Sequence, residues 1–115
     1  MNDKYETQMK KGVLDMLVLK LLAEEPKYGY QIINELLEKS GEHFLLKEGT
    51  LYPILYRLED DGLVRSSWSE AEENTSRKKL PRKYYTITES GLSALEEISA
   101  LWEEISNSVR RILYG

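Results

Sequence analysis

The densest chemistry in this 115-residue chain is a run of cations: Arg77, Lys78, Lys79, Arg82 and Lys83 fall within seven residues, with no acid among them. A cluster of that kind suits phosphate groups, which bind by charge and by N–H donors. Hydroxyl and amide groups able to join it stand at Tyr28, Gln31, Thr50 and Tyr52, and Lys47 adds another cation. The plainer reading of a charge run is a solvated surface. Arg57 is likewise as well placed to pair with Asp60 or Asp61 along one helix as to reach a phosphate. Further on, Glu89, Glu96, Glu97, Glu103 and Glu104 follow one another with no base between them. The net charge of −4 therefore averages two opposed regions. An acidic total is compatible with a basic edge directed at nucleic acid.

Other chemistries find little support. Cysteine is absent, which excludes thiol nucleophiles, thiolate metal sites and disulfides. The one histidine, His43, cannot make a His-x-x-x-His metal pair and reads as an exposed loop residue. No Gly-rich phosphate loop or Gly-x-Ser-x-Gly elbow occurs, so no cofactor is expected. The 20 acids mostly fall where helix faces are solvated, which argues against an enzyme. No apolar run reaches the ~18 residues of a membrane span. The opening Met1-Asn2-Asp3-Lys4-Tyr5 lacks the pattern of a secretion signal. A cytoplasmic protein without a membrane partner is the expectation.

The elements that must position these groups follow from periodicity. Residues 1–8 are polar and read as frayed or only partly helical. Met9 to Ala23 is densely apolar, with Gly12 its only glycine, and reads as one helix apolar on nearly every side. One face can serve its own core; the other wants a second partner. Within it Asp15 pairs with Lys11 one turn back. Pro26 stops this helix. A second spans Gly29 to Lys39, burying Ile32, Ile33, Leu36 and Leu37, with Tyr30 packed inward. A third runs from Glu48 to about Asp61 on Leu51, Ile54, Leu55 and Leu58, with Pro53 near its first turn and Gly62 as its cap.

Val64 to Ser69 then alternates, with Val64, Ser66 and Trp68 on one side, and Lys83 to Thr88 makes a second strand. The polar stretch between them is the tip of a hairpin. Thr88 caps a final helix whose apolar residues recur at 92, 95, 98, 101/102, 105, 109 and 112. At ~1.5 Å per residue it extends about 39 Å, longer than so small a domain covers alone. The fold is thus mainly α with a small β-hairpin: a winged helix-turn-helix over residues 1–87, then a long C-terminal dimerisation helix over 88–115, the two forming one compact unit.

Three segments carry a resemblance beyond this layout. They are Tyr28-Gly29-Tyr30-Gln31-Ile32, the stretch Glu48-Gly49-Thr50-Leu51-Tyr52-Pro53 running on to Leu58-Glu59-Asp60-Asp61-Gly62-Leu63, and Arg82-Lys83-Tyr84-Tyr85. In order and spacing the chain resembles the PadR family of bacterial transcriptional regulators, in its short-tailed branch with one C-terminal helix. The resemblance implies a homodimer formed by the first and last helices, and a double-stranded DNA operator as partner. It also implies a site for a planar aromatic or cationic ligand at the dimer centre. Trp102 matches the family's pore tryptophan, with Met9, Gly12, Asp15, Met16 and Ser106 as its implied neighbours; packing in the dimer seam is the alternative role for that ring. Lys47 departs from the family, which often places a capping Ser or Asn there, and the hairpin tip is longer and more mixed in charge than usual. The function so implied is a sequence-specific DNA-binding regulator, a repressor released by ligand. Its rival is a winged-helix dimer that binds a protein and does not read DNA.

Overall fold

The computed structural model describes residues 3–69 and 81–115. Arg77, Lys78 and Lys79 lie outside the described residues. The chain runs α1 (Asp3–Lys11), α2 (Leu14–Glu24), β1 (Lys27–Tyr28), α3 (Gly29–Lys39), α4 (Glu48–Asp60), β2 (Val64–Trp68), β3 (Lys83–Ile87) and α5 (Glu89–Tyr114). The three strands form one antiparallel sheet in the order β1-β3-β2.

Several expectations need correction. The first helix is two: the chain breaks at Gly12 and Val13, and the segment read as frayed or only partly helical forms a helix from Asp3. Glycine costs about 1 kcal/mol in a helix interior and the β-branched Val13 follows it, so the break falls at the weakest point. Strand β1 is too short for any alternation to announce. Pro53 lies six residues into α4, past the first turn, so the carbonyl of Gly49 loses its helical donor. Tyr30 faces solvent, 62% exposed, and Trp68 is 68% exposed although its register put it with Val64. Asp15 pairs with Arg57 of α4, joining the two helices across 42 residues of sequence instead of pairing within one turn of its own helix.

The core gathers Leu14, Val18, Leu19 and Leu22 of α2, Ile32 and Leu36 of α3, Leu51, Leu55 and Leu58 of α4, and Val64 and Tyr85 of the sheet. These helices meet the core with one stripe each, at the spacing of three and four that their sequences show. Two turns hold the frame. Gly62 ends α4 with φ of 76°, a left-handed conformation that costs glycine little, and Leu63 N–H donates to Leu58 O at 2.9 Å. Thr88 then donates its hydroxyl to Gly62 O at 2.7 Å and accepts from Gly91 N–H at 3.0 Å, capping α5 as expected.

Only the first turns of α5 touch the core, through Leu95 and Ile98. Leu101, Trp102, Ile105, Val109 and Ile112 beyond them are exposed. The radius of gyration is 16.6 Å, against about 13 Å for a compact chain of this length.

At Gly91 the start of α5 crosses the α4–β2 turn so closely that an added Cβ would stand 2.1 Å from the Leu63 carbonyl oxygen. Backbone cannot yield there as a flexible side chain can. Gly91→Ala is expected to lose about 1–3 kcal/mol of stability, the usual cost of overpacking. Urea unfolding of the variant beside the parent measures it; an unchanged midpoint would contradict this packing.

Candidate nucleic-acid interface

The α3 N-terminus, α4 and the hairpin converge on one open basin. It has a volume of about 410 Å³, and its lining includes Tyr28, Tyr30, Glu48, Tyr52, Tyr56, Trp68, Arg82 and Lys83. Strand β1 creates this convergence. Lys27 pairs with Tyr85 and Tyr28 with Tyr84, so the residue that opens α3 is fixed to the hairpin. The Tyr28 ring stands edge-on to Tyr84, centroids 5.4 Å apart, and the Arg82 guanidinium lies 4.5 Å from the Tyr28 centroid. Gln31 turns its amide oxygen back to accept from Tyr28 N–H at 3.1 Å, which holds the first turn of α3.

On α4, Tyr52 is half-buried. Its hydroxyl would lie 2.4 Å from a Cβ at position 29, so a glycine there is what lets α4 approach α3. Burial first, then the nearby Glu48 and Tyr56, raise the Tyr52 phenol above its usual range. Lys47, Glu48, Gly49 and Thr50 are exposed at the start of the helix, and Lys47 makes no side-chain capping bond. Glu59 accepts from both Ser66 N–H (3.1 Å) and Ser66 Oγ (2.6 Å), which locks the hairpin against α4.

Of the residues singled out for phosphate binding, the structure therefore brings Tyr28, Tyr52, Arg82 and Lys83 to one basin. Thr50 and Lys47 stand at the exposed end of α4, and Gln31 serves its own helix. Tyr56 and Trp68 line the basin and were not singled out. Trp68 alternates with Val64 and so looks like core, but its register extends past the core's edge.

The residues implied for a ligand divide differently. Met9 and Trp102 line one apolar pocket of about 190 Å³ together with Val13, Phe44, Glu6, Lys10 and His43. Gly12, Asp15, Met16 and Ser106 are not part of that lining: Asp15 is bound to Arg57, and Ser106 donates to Glu103 O at 3.2 Å. His43 is exposed as expected, with Nε2 3.7 Å from Glu6. Among the described residues no cluster of His, Asp and Glu could hold a metal ion, and no helix is long and apolar enough to cross a membrane.

The whole chain can be set beside known proteins. The profile of the transcriptional regulator PadR-like family matches residues 18–97. The negative transcriptional regulator PadR of Bacillus subtilis is 30% identical over 98 residues, covering 85% of this chain and 51% of that protein, so the chain spans about half its length. Among solved structures, a PadR family transcriptional regulator from Eggerthella lenta superposes with a TM-score of 0.83 at 34% identity, covering 97% of this chain and 91% of that one. A PadR-like transcriptional regulator from Bacillus cereus gives 0.76 at 36% identity, covering 94% and 98%.

Beneath the basin, Tyr85 is fully buried and its hydroxyl has no hydrogen-bond partner among the described residues. Burial, with smaller contributions from Tyr56, Glu59 and Tyr52, pushes its phenol up to about 12. In the unfolded chain it ionises near 10. Below pH 10 both states hold the proton and this contribution to stability is complete. Between 10 and 12 the unfolded chain releases its proton first, so stability falls as pH rises. Tyr85→Phe is expected to be no less stable than the parent at neutral pH, since no bond is lost, and to show a shallower alkaline decline. Urea midpoints from pH 7 to 11.5 test both; equal slopes would refute the assignment.

Proposed function

The chain belongs to the PadR-like family of transcriptional regulators, and from that premise we propose that it is a sequence-specific DNA-binding repressor acting as a homodimer. One observation carries this reading. Arg82 and Lys83 of the hairpin and the hydroxyls of Tyr28 and Tyr52 converge on the face where the exposed start of α4 stands. In a winged helix-turn-helix, that helix enters the major groove and the hairpin meets the adjacent backbone. Phosphate contacts set the register, and the exposed α4 residues, Thr50 foremost, read base edges.

A second copy of the chain is the partner for the exposed apolar seam of α5. Leu101, Trp102, Ile105, Val109 and Ile112 share one side of that helix at the spacing of a coiled-coil seam. A two-fold pair of reading helices spaced one turn of B-DNA apart meets half-sites ~34 Å apart, or a small multiple of it. The apolar pocket between Met9 and Trp102 supports a planar aromatic ligand at this seam. Such a ligand shifts the angle between the two reading heads only by its differential affinity for the two arrangements.

Gel-shift with the DNA upstream of the protein's own gene, at 50 and 200 mM salt, is the direct test. Binding is expected to weaken steeply with salt, and Lys83→Gln to lower the salt slope by about one. A parent protein that fails to bind at low salt would favour the protein-interaction reading. Sedimentation should report a dimer for the parent and a monomer for Ile105→Glu; a monomeric parent would defeat the two-fold model. Planar aromatic cations should quench Trp102 fluorescence and release DNA. If a Trp102→Ala variant is still released by ligand, the pocket is not the ligand site.

A further inference from the structure

The cross-strand pairs Val64–Ile87, Ser66–Tyr85 and Trp68–Lys83 lie in one row on the face of the sheet that covers the core. Val64 and Tyr85 are buried in it. The third pair continues the row past the core's edge, over the reading helix. There the Lys83 ammonium stands 5.8 Å from the Tyr56 ring centre, 5.9 Å from Trp68 and 5.8 Å from Tyr85. Three rings from three elements surround one cation: Tyr56 from α4, Trp68 from β2 and Tyr85 from β3. Ring faces attract an ammonium but carry no net charge, so they hold it without neutralising it. No carboxylate among the described residues forms a salt bridge with Lys83. The nearby Glu59 is instead occupied with Ser66. Glu48 also lines the basin, an acid that opposes an anion close to it.

We propose that Trp68 and Tyr56 are positioning residues for a backbone-phosphate contact made by Lys83. They fix its ammonium in the angle between hairpin and reading helix, where a single DNA phosphodiester meets it. A lysine stem free in solvent loses rotational freedom when it binds a phosphate; here the rings have taken up that loss before DNA arrives. The inference rests on the DNA-binding reading and adds the two aromatic residues to it.

The test is a double-mutant cycle on DNA affinity and its salt slope, with an operator duplex and an unrelated duplex. Trp68 is largely exposed, so its replacement leaves the core intact, and thermal unfolding verifies this. Trp68→Ala is expected to weaken binding about two- to tenfold, the cost of one freed side chain, and equally on both duplexes. Trp68→Phe and Tyr56→Phe, which keep a ring, should bind as the parent does. In a Lys83→Gln background, Trp68→Ala should cost nothing more. Without DNA, the upfield NMR shift of the Lys83 side-chain protons near the rings should shrink in Trp68→Ala and persist in Trp68→Phe. Additive losses in the cycle, a deficit in Trp68→Phe, or lysine shifts unmoved by Trp68→Ala would each overturn the proposal while leaving DNA binding in place. A parent that binds neither duplex would instead bring down the DNA-binding reading itself.

Discussion

The pairing of Lys27 and Tyr28 with Tyr85 and Tyr84 is the constraint on which the arrangement depends. Two residues of strand bind the start of α3 to the middle of the hairpin, so α3 and the hairpin share one rigid edge. The site is held electrostatically as well. Lys27 is buried, and its ammonium lies 3.6–3.9 Å from Glu24, Glu25 and Glu35, which come from the end of α2 and from α3. A buried ammonium is tolerable only with such partners, so the helices cannot separate from β1 without stranding a charge. Lys39 reaches the same acids, Glu24 at 2.9 Å and Glu35 at 3.7 Å, and closes the cluster on its solvent side.

On the other face of this frame the sheet meets α4 through Tyr85, and the Glu59–Ser66 bonds prevent sliding. The result is a wedge with aromatic walls and cations at its mouth. Among the described residues Lys83 forms no salt bridge and stands near three rings, which leave its charge available. Arg82 stacked on Tyr28 follows the same logic. Glu48 lines the basin, but many of the other acids lie on α5 and in the α2–α3 cluster, so a chain of net negative charge still carries Arg82 and Lys83 along this edge.

The long helix obeys a different constraint. Its first turns share the core, whereas its later apolar residues are largely exposed among the described residues, Trp102 alone of them lining the pocket beside Met9. A seam of that length left in water is unfavourable by the ordinary hydrophobic effect. That is the physical argument for a second copy, and it places Trp102 where the seam and the α1 pocket meet. The Asp15–Arg57 pair links α2, which lies beside α5, to α4. It is exposed, and such pairs contribute little to stability.

Local rules made much of this readable in advance. Helical periodicity located α3 and α4 almost to the residue, because each buries one stripe and ends at a glycine or a cap. Thr88 marked the start of α5 by the oxygen it offers to Gly91. The three family segments identified the family and the fold. What periodicity cannot express is a contact between distant segments. Strand β1 has only two residues, so its existence depends on Tyr84 and Tyr85 being alongside. Trp68 and Lys83 have the alternation of a buried row, and only the position of the core's edge decides that they stand in the open angle over Tyr56. Asp15 chose Arg57 over Lys11 for a similar reason: spacing along a helix supplies possible partners, and packing selects among them.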